Sequence, residues 1–151
     1  MLDGLICELS SFISGLSLEE KVSAINKVKE SLHKISPFKN EPVDCVIWVR
    51  AEDVQANDYN PNSVAPPEME LLSLSILADG YTQPIVSFNN DNVIEVVDGF
   101  HRNRVGKENK EVMERVFGYL PVVTINTDRE DKGDRIAATI RHNRARGKHK
   151  I

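Results

Sequence analysis

The stretch Val93-Ile94-Glu95-Val96-Val97-Asp98-Gly99-Phe100-His101-Arg102 holds a strand, a turn and a helix start in direct succession. Val93 to Val97 is apolar and β-branched, which predicts a buried strand. Asp98-Gly99 ends that strand, and the residues beyond predict a helix from near Phe100 to about Phe117. A strand, a glycine turn and a helix start make an anion site, because the N–H groups and the positive dipole end of the helix face whatever lies over the turn. Gly99 lets a ligand come close to the backbone. His101, Arg102 and Arg104 stand in the first turn, where the dipole by itself favours acids, and a bound anion accounts for them. The plainer alternative is a strand–turn–helix in which Asp98 caps the helix, His101 is a core histidine and Arg104 is a surface residue.

Working outward, Val43 to Val49 predicts another strand, and residues 53–62 read as a loop rich in asparagine. Pro66-Pro67 opens a helix over about 67–79, and Gly80 closes it. Residues 83–88 form a strand that turns at Asn89 to Asn92 and pairs back with Val93 to Val97 as a hairpin. Gly118 and Pro121 bracket a turn, Leu120 to Ile125 is a further strand, and residues 129–143 form a last helix with Ile136, Ala137 and Ile140 inward. At the other end, residues 3–16 predict a short helix with Leu5, Ile6, Leu9, Phe12 and Ile13 on one side. Ser17 and Glu20 have the spacing of a capping box, and Leu18, Val22, Ile25, Val28, Leu32 and Ile35 repeat at helical spacing until Pro37. The stripe of this helical hairpin is core or a partner surface, such as a homodimer contact, and core is the expected role.

A length of 151 residues suits one domain with a sizeable core. The formal charge of −4 conceals an asymmetry. Residues 135–151 hold six of the 19 basic side chains and no acid, leaving 13 against all 23 acidic ones elsewhere. Such an end suits phosphates of a nucleotide or of nucleic acid, while the acidic remainder opposes independent binding to a duplex. No segment has the length of apolar chain a membrane span needs, and Met1 to Leu16 has no basic leader, so a cytoplasmic location is expected. Cys7 and Cys45 are expected to be reduced packing residues, and His101, His142 and His149 lack the spacing of a zinc site.

Three segments occur in a telling order: Asn60-Pro61-Asn62 followed by a helix and Gln83-Pro84-Ile85; Val97-Asp98-Gly99-Phe100-His101-Arg102; and Arg141-His142-Asn143-Arg144-Ala145-Arg146. Over about residues 43–146 this set resembles the ParB/sulfiredoxin superfamily, and its wording is most similar to the immunoglobulin-binding regulator B group, ParB-like proteins of enterobacterial and phage-derived gene clusters. The resemblance implies an α+β nucleotide-binding fold at 43–146, preceded by a helical extension at 1–36 and followed by a basic tail at 147–151. It implies a nucleotide cofactor, ATP/ADP or CTP, with Mg²⁺, and a companion resembling a phosphoadenylylsulfate reductase. Residues Gly99, Phe100, His101 and Arg102 would hold phosphate, Arg141, Asn143 and Arg146 would close over it, and Asn60, Asn62 and Gln83 would line the first-box pocket. Asp98 would hold the Mg²⁺ or orient His101, these two being the catalytic candidates.

Departures from the family patterns narrow the chemistry. ParB partition proteins carry an acid where Phe100 stands and a metal-holding Glu where His142 stands. Sulfiredoxins carry a catalytic Cys at the place of Phe100, so reduction of a sulfinic acid is excluded here for want of a nucleophilic sulfur. The serine-kinase branch has the best wording at Asp98-Gly99-Phe100-His101-Arg102, but its base is a Glu in the region where Asn60 and Asn62 stand. One Asp without a carboxylate cluster is a poor two-metal nuclease. Two functions remain: nucleotide hydrolysis or phosphoryl transfer, and a nucleotide-gated regulator that contacts DNA or a protein. The chain stops just where superfamily members continue into helical DNA-binding segments, which agrees with the second.

Overall fold

The computed structural model describes residues 1–56, 66–125 and 140–141. The chain divides into two compact units, Met1–Trp48 and Val49–Ile151.

In the first unit, α1 (Leu2–Ser14) and α2 (Leu18–Lys34) form a helical hairpin. The capping box is present: Ser17 Oγ accepts from the Glu20 N–H at 3.3 Å, and Glu20 Oε1 accepts from the Ser17 N–H at 3.2 Å. Three side chains tie α2 to the segment that follows. Asn26 donates to the Trp48 carbonyl at 2.7 Å and accepts from the Trp48 N–H at 3.1 Å, Lys29 donates to the Val46 carbonyl at 3.0 Å, and His33 Nδ1 lies 2.7 Å from Asp44 Oδ2. The expected core role of the apolar stripe fails, because no residue of either helix is buried. Two helices joined by Gly15-Leu16-Ser17 cover each other along one side only. Cys7 is likewise exposed and does not pack, Cys45 is half-buried, and both are free thiols.

The bond to His33 holds the Asp44 carboxyl below its ordinary value of 3.8, against a smaller opposing effect of burial. A depressed carboxylate stabilises the folded form above the unfolded pKa and loses that contribution as pH falls through the folded value. The link between α2 and the 44–48 segment is therefore expected to loosen in acid below the ordinary carboxylate range, and Asp44→Asn removes this pH dependence. An NMR titration of the Asp44 carboxyl carbon checks it: a midpoint at or above 3.8 contradicts the pairing.

In the second unit the chain runs β1 (Ile47–Arg50), β2 (Val54–Gln55), α3 (Pro66–Asp79), β3 (Ile85–Asn90), β4 (Val93–Asp98), α4 (Phe100–Glu108), α5 (Lys110–Arg115) and β5 (Tyr119–Thr124), the unit division falling within β1. The strands form one sheet in the order β1-β5-β3-β4-β2. β3 and β4 are the predicted antiparallel hairpin, and β2 and β5 add in parallel to β4 and β3 respectively. Phe88 and Val97 are buried together, and a second cluster unites Ile76 of α3, Val105 of α4 and Val112 of α5. Arg115 closes α3 from outside: its two terminal nitrogens donate to the Leu77 and Ile76 carbonyls at 2.6 and 2.7 Å.

Several boundaries differ from expectation. β1 starts at Ile47, not Val43, because Pro42–Asp44 turns as a 3₁₀ helix. Val54 and Gln55 belong to a strand, where a loop was expected, and Val54 is fully buried. The long helix after Gly99 is two helices: Asn109 is extended (φ −87, ψ 112) and its side chain caps α5 by accepting from the Val112 N–H at 3.1 Å. Pro121 does not bracket a turn but lies within β5, and the pairing with β3 begins one residue later, at Val122 opposite Ile85, so on that side no donor is needed from the proline. The turn between β3 and β4 is only Asp91-Asn92, since β3 runs to Asn90.

After α5 the chain reverses through a left-handed Phe117 (φ +56) and Gly118 (φ +80). The Gly118 N–H reaches the Met113 carbonyl at 3.0 Å and the Phe117 N–H the Glu114 carbonyl at 3.2 Å, a Schellman pattern with phenylalanine where glycine is usual. The ring is 64% exposed, so little packing offsets the strain. Phe117→Gly is expected to raise the stability of this unit by about 1 kcal/mol, read from urea unfolding. A loss of stability would show that the exposed ring packs usefully.

Candidate functional site

The site begins where β4 ends. Between Val86 and Ser87 the register slips by one, making Val97 an extra residue on β4. Val96, Val97 and Asp98 are all buried in succession. Bulges of this kind redirect side chains at the end of a strand. Asp98 is 6% exposed, and its Oδ1 accepts the N–H of Gly99 at 2.9 Å. Gly99 has φ +94, which a residue with a Cβ adopts only with strain. Its missing Cβ also matters in space: a methyl there would stand 3.1 Å from Arg102 Nη2 and 3.3 Å from the Ile85 Cα. Glycine at this position thus has two physical reasons.

α4 starts at Phe100 with Gly99 as its N-cap and no capping side chain. The first intrahelical bond runs from the Asn103 N–H to the Gly99 carbonyl at 2.9 Å. The Arg102 guanidinium folds back over the glycine and places Nη2 3.4 Å from the Pro84 carbonyl. A cation and the positive end of a helix therefore share one small region, bounded by the first residues of β3 and the turn after β4. Repulsion between them falls when an anion lies across both.

Tyr81 braces this arrangement by donating to the Arg102 carbonyl at 2.9 Å. Burial pushes its phenol up to about 12, the nearby Arg102 charge opposing only in part, so it stays a neutral donor. Sequence reasoning missed Tyr81, which is local to no motif. It also missed Asn103, 2% exposed, whose amide oxygen has no hydrogen-bond partner among the described residues. A buried acceptor left so is costly and points to a site or an ordered water. Its signal was available: asparagine is a weak helix former and stands four residues after Gly99.

Asp98, Gly99, Phe100, His101 and Arg102 follow one another through the end of β4 and the first turn of α4, with the Arg102 guanidinium lying against Gly99. Phe100 is 6% exposed, so its ring belongs to the interior and only its backbone faces the turn. His101 is half-buried, and Gln83 is exposed just before Pro84. Arg104 is exposed and paired with Glu108 at 3.3 Å, a surface ion pair of the i,i+4 kind. Arg141 is exposed, with no measured relation to the turn. Asn60, Asn62, Asn143 and Arg146 lie outside the described residues, as does most of the expected helix 129–143. Among the described residues no group of three His, Cys, Asp or Glu side chains could hold a metal ion, and no helix is long and apolar enough to cross a membrane. A cleft of about 300 Å³ is lined by residues that include Met69, Ser73, Arg104 and Glu108, and none of the residues from Asp98 to Asn103 lines it.

No family model matches the chain. Among solved structures, the C-terminally truncated chromosome-partitioning protein ParB from Caulobacter crescentus, complexed with CTP-gamma-S, superposes with a TM-score of 0.54 at 22% identity, over 68% of this chain and 54% of the ParB chain. This chain thus spans about half the length of that ParB. Sulfiredoxin from Arabidopsis thaliana matches with a TM-score of 0.46 at 14% identity, over 63% of this chain and 96% of its own. The fold is accordingly α+β of the ParB/sulfiredoxin kind, with helices added at the N-terminus. The uncharacterized protein YbdM of Escherichia coli (strain K12) is 50% identical over 145 residues, which span 95% of this chain and 68% of YbdM. By that identity and that coverage, this ParB-like chain belongs to the family of YbdM.

Proposed function

We propose that the Gly99 turn binds the phosphates of a nucleotide, and that binding switches the contacts of the basic C-terminal end with DNA or a protein partner. The observation that carries this reading is the left-handed Gly99 beneath the Arg102 guanidinium at a helix start that no side chain caps. An added Cβ would meet the Arg102 guanidinium and the Ile85 backbone, so glycine keeps the guanidinium close over the turn, where it would contact a phosphate held by the helix N–H groups. CTP is the first candidate, supported by the CTP analogue in the ParB complex, and ATP or ADP is the next. The described residues fit an anion better than a protein-held metal, so Mg²⁺ would arrive with the nucleotide, Asp98 contributing from the turn. The motif wording still resembles the immunoglobulin-binding regulator B group, which supports a regulatory role beside a phosphoadenylylsulfate reductase-like partner.

A second reading, hydrolysis or phosphoryl transfer, is favoured by the buried Asp98 carboxylate at the turn and by His101 in the first turn of α4. Against it, one Asp98 oxygen is engaged by the Gly99 N–H. Calorimetric titration of CTP, ATP, ADP and GTP with Mg²⁺, following phosphate release in the same samples, tests both. Binding without release supports the switch, and binding with release supports the enzyme. Absence of binding by all four sinks the phosphate site itself.

A further inference from the structure

Among the described residues, the apolar stripes of the N-terminal unit are largely exposed. No residue of Met1–Trp48 is buried, although both helices are built for contact. In α1, Leu2, Leu5, Leu9 and Phe12 follow one another at spacings of three and four, the a/d pattern of a coiled-coil seam. In α2, Leu18, Ile25 and Leu32 repeat every seven residues. These side chains are between 38% and 67% exposed. The charged residues of α1, Asp3 and Glu8, lie off its seam, so the α1 stripe is apolar throughout.

We propose that two copies of this chain associate through their α1–α2 hairpins into an antiparallel four-helix bundle. The short Gly15-Leu16-Ser17 link makes the two helices antiparallel neighbours, and a two-helix layer encloses no core by itself. What it lacks is a second two-helix layer with the same heptad pattern, and an identical chain related by a twofold axis supplies one. The area agrees. Seven half-exposed large residues present roughly 100 Å² each, or on the order of 700 Å², close to the ~800 Å² that each partner contributes to a standard interface. A unit of this length without a core or disulfide is the kind that needs a partner to stay folded.

Sedimentation equilibrium of the full chain, across micromolar concentrations, tests the proposal. The expected mass is twice the 17.0 kDa of one chain. Leu9→Glu/Phe12→Glu should yield monomers, and the milder Leu9→Lys should weaken association at least tenfold. Ser10→Glu/Ser11→Glu, on the far side of α1, should leave the dimer intact. Monomers at every concentration in the unaltered chain overturn the idea, and would mean that the stripe is covered within the chain or by another protein. A dimer that survives both seam variants overturns it as well, since association would then use a different surface.

Discussion

Gly106→Ala lowers the stability of the second unit by about 3 kcal/mol, from overpacking and a lost hydrogen bond together. An added Cβ at this buried position would stand 2.2 Å from Leu120 Cδ2 and 2.6 Å from Tyr81 Oη. Neither neighbour yields easily. Leu120 is fully buried, and the Tyr81 hydroxyl is held by the Arg102 carbonyl. Gly118→Ala supplies the contrast. It has φ +80 but nothing within 4 Å of the new carbon, so it meets backbone strain alone, about 1 kcal/mol. Thermal unfolding followed by the near-ultraviolet signal of the tyrosines should show a midpoint lower by roughly 10 °C for Gly106→Ala and clearly less for Gly118→Ala. Equal shifts would mean that α4 does not lie so close to β5.

Arg102→Ala weakens nucleotide binding by about 10- to 100-fold, the loss of a charge-assisted contact worth ~1.5–3 kcal/mol. The fold should persist, because the bond from Arg102 to the Pro84 carbonyl is long, 3.4 Å, and the Tyr81 brace reaches the backbone of residue 102, which remains. Arg102→Lys should recover little of the affinity, since an ammonium is a point charge and lacks the planar fork that spans two phosphate oxygens. Calorimetry gives the affinities and circular dichroism the fold. Affinity within twofold of the unaltered chain would place the phosphate elsewhere.

The parts of the molecule legible in the sequence are those set by neighbours along the chain. Ser17 and Glu20 cap α2 as their spacing requires, Gly80 takes the left-handed conformation after α3, and β3 and β4 pair as a hairpin. Gly99 is left-handed at the helix start, so the glycine turn itself was readable too. Asn109 shows a signal that was present and passed over: an asparagine before Lys-Glu-Val is a fair N-cap, but the apolar pattern on both sides reads through it as one helix.

By itself, the sequence determined the order of elements, the α+β class and the glycine turn between β4 and α4, because strand propensity, caps and glycine conformation act within a few residues. Only the tertiary structure decided what those elements meet. Val54 becomes a strand by pairing beside β4, Pro121 fits inside β5 because the pairing with β3 begins one residue after it, and the bulge at Val97 appears only in register with β3. Arg102 bends toward Pro84 and Tyr81 braces it across 21 positions of chain. The N-terminal stripe is the sharpest case. Its periodicity is the same whether it faces a core or a partner, and burial, which distinguishes them, is a property of the folded whole.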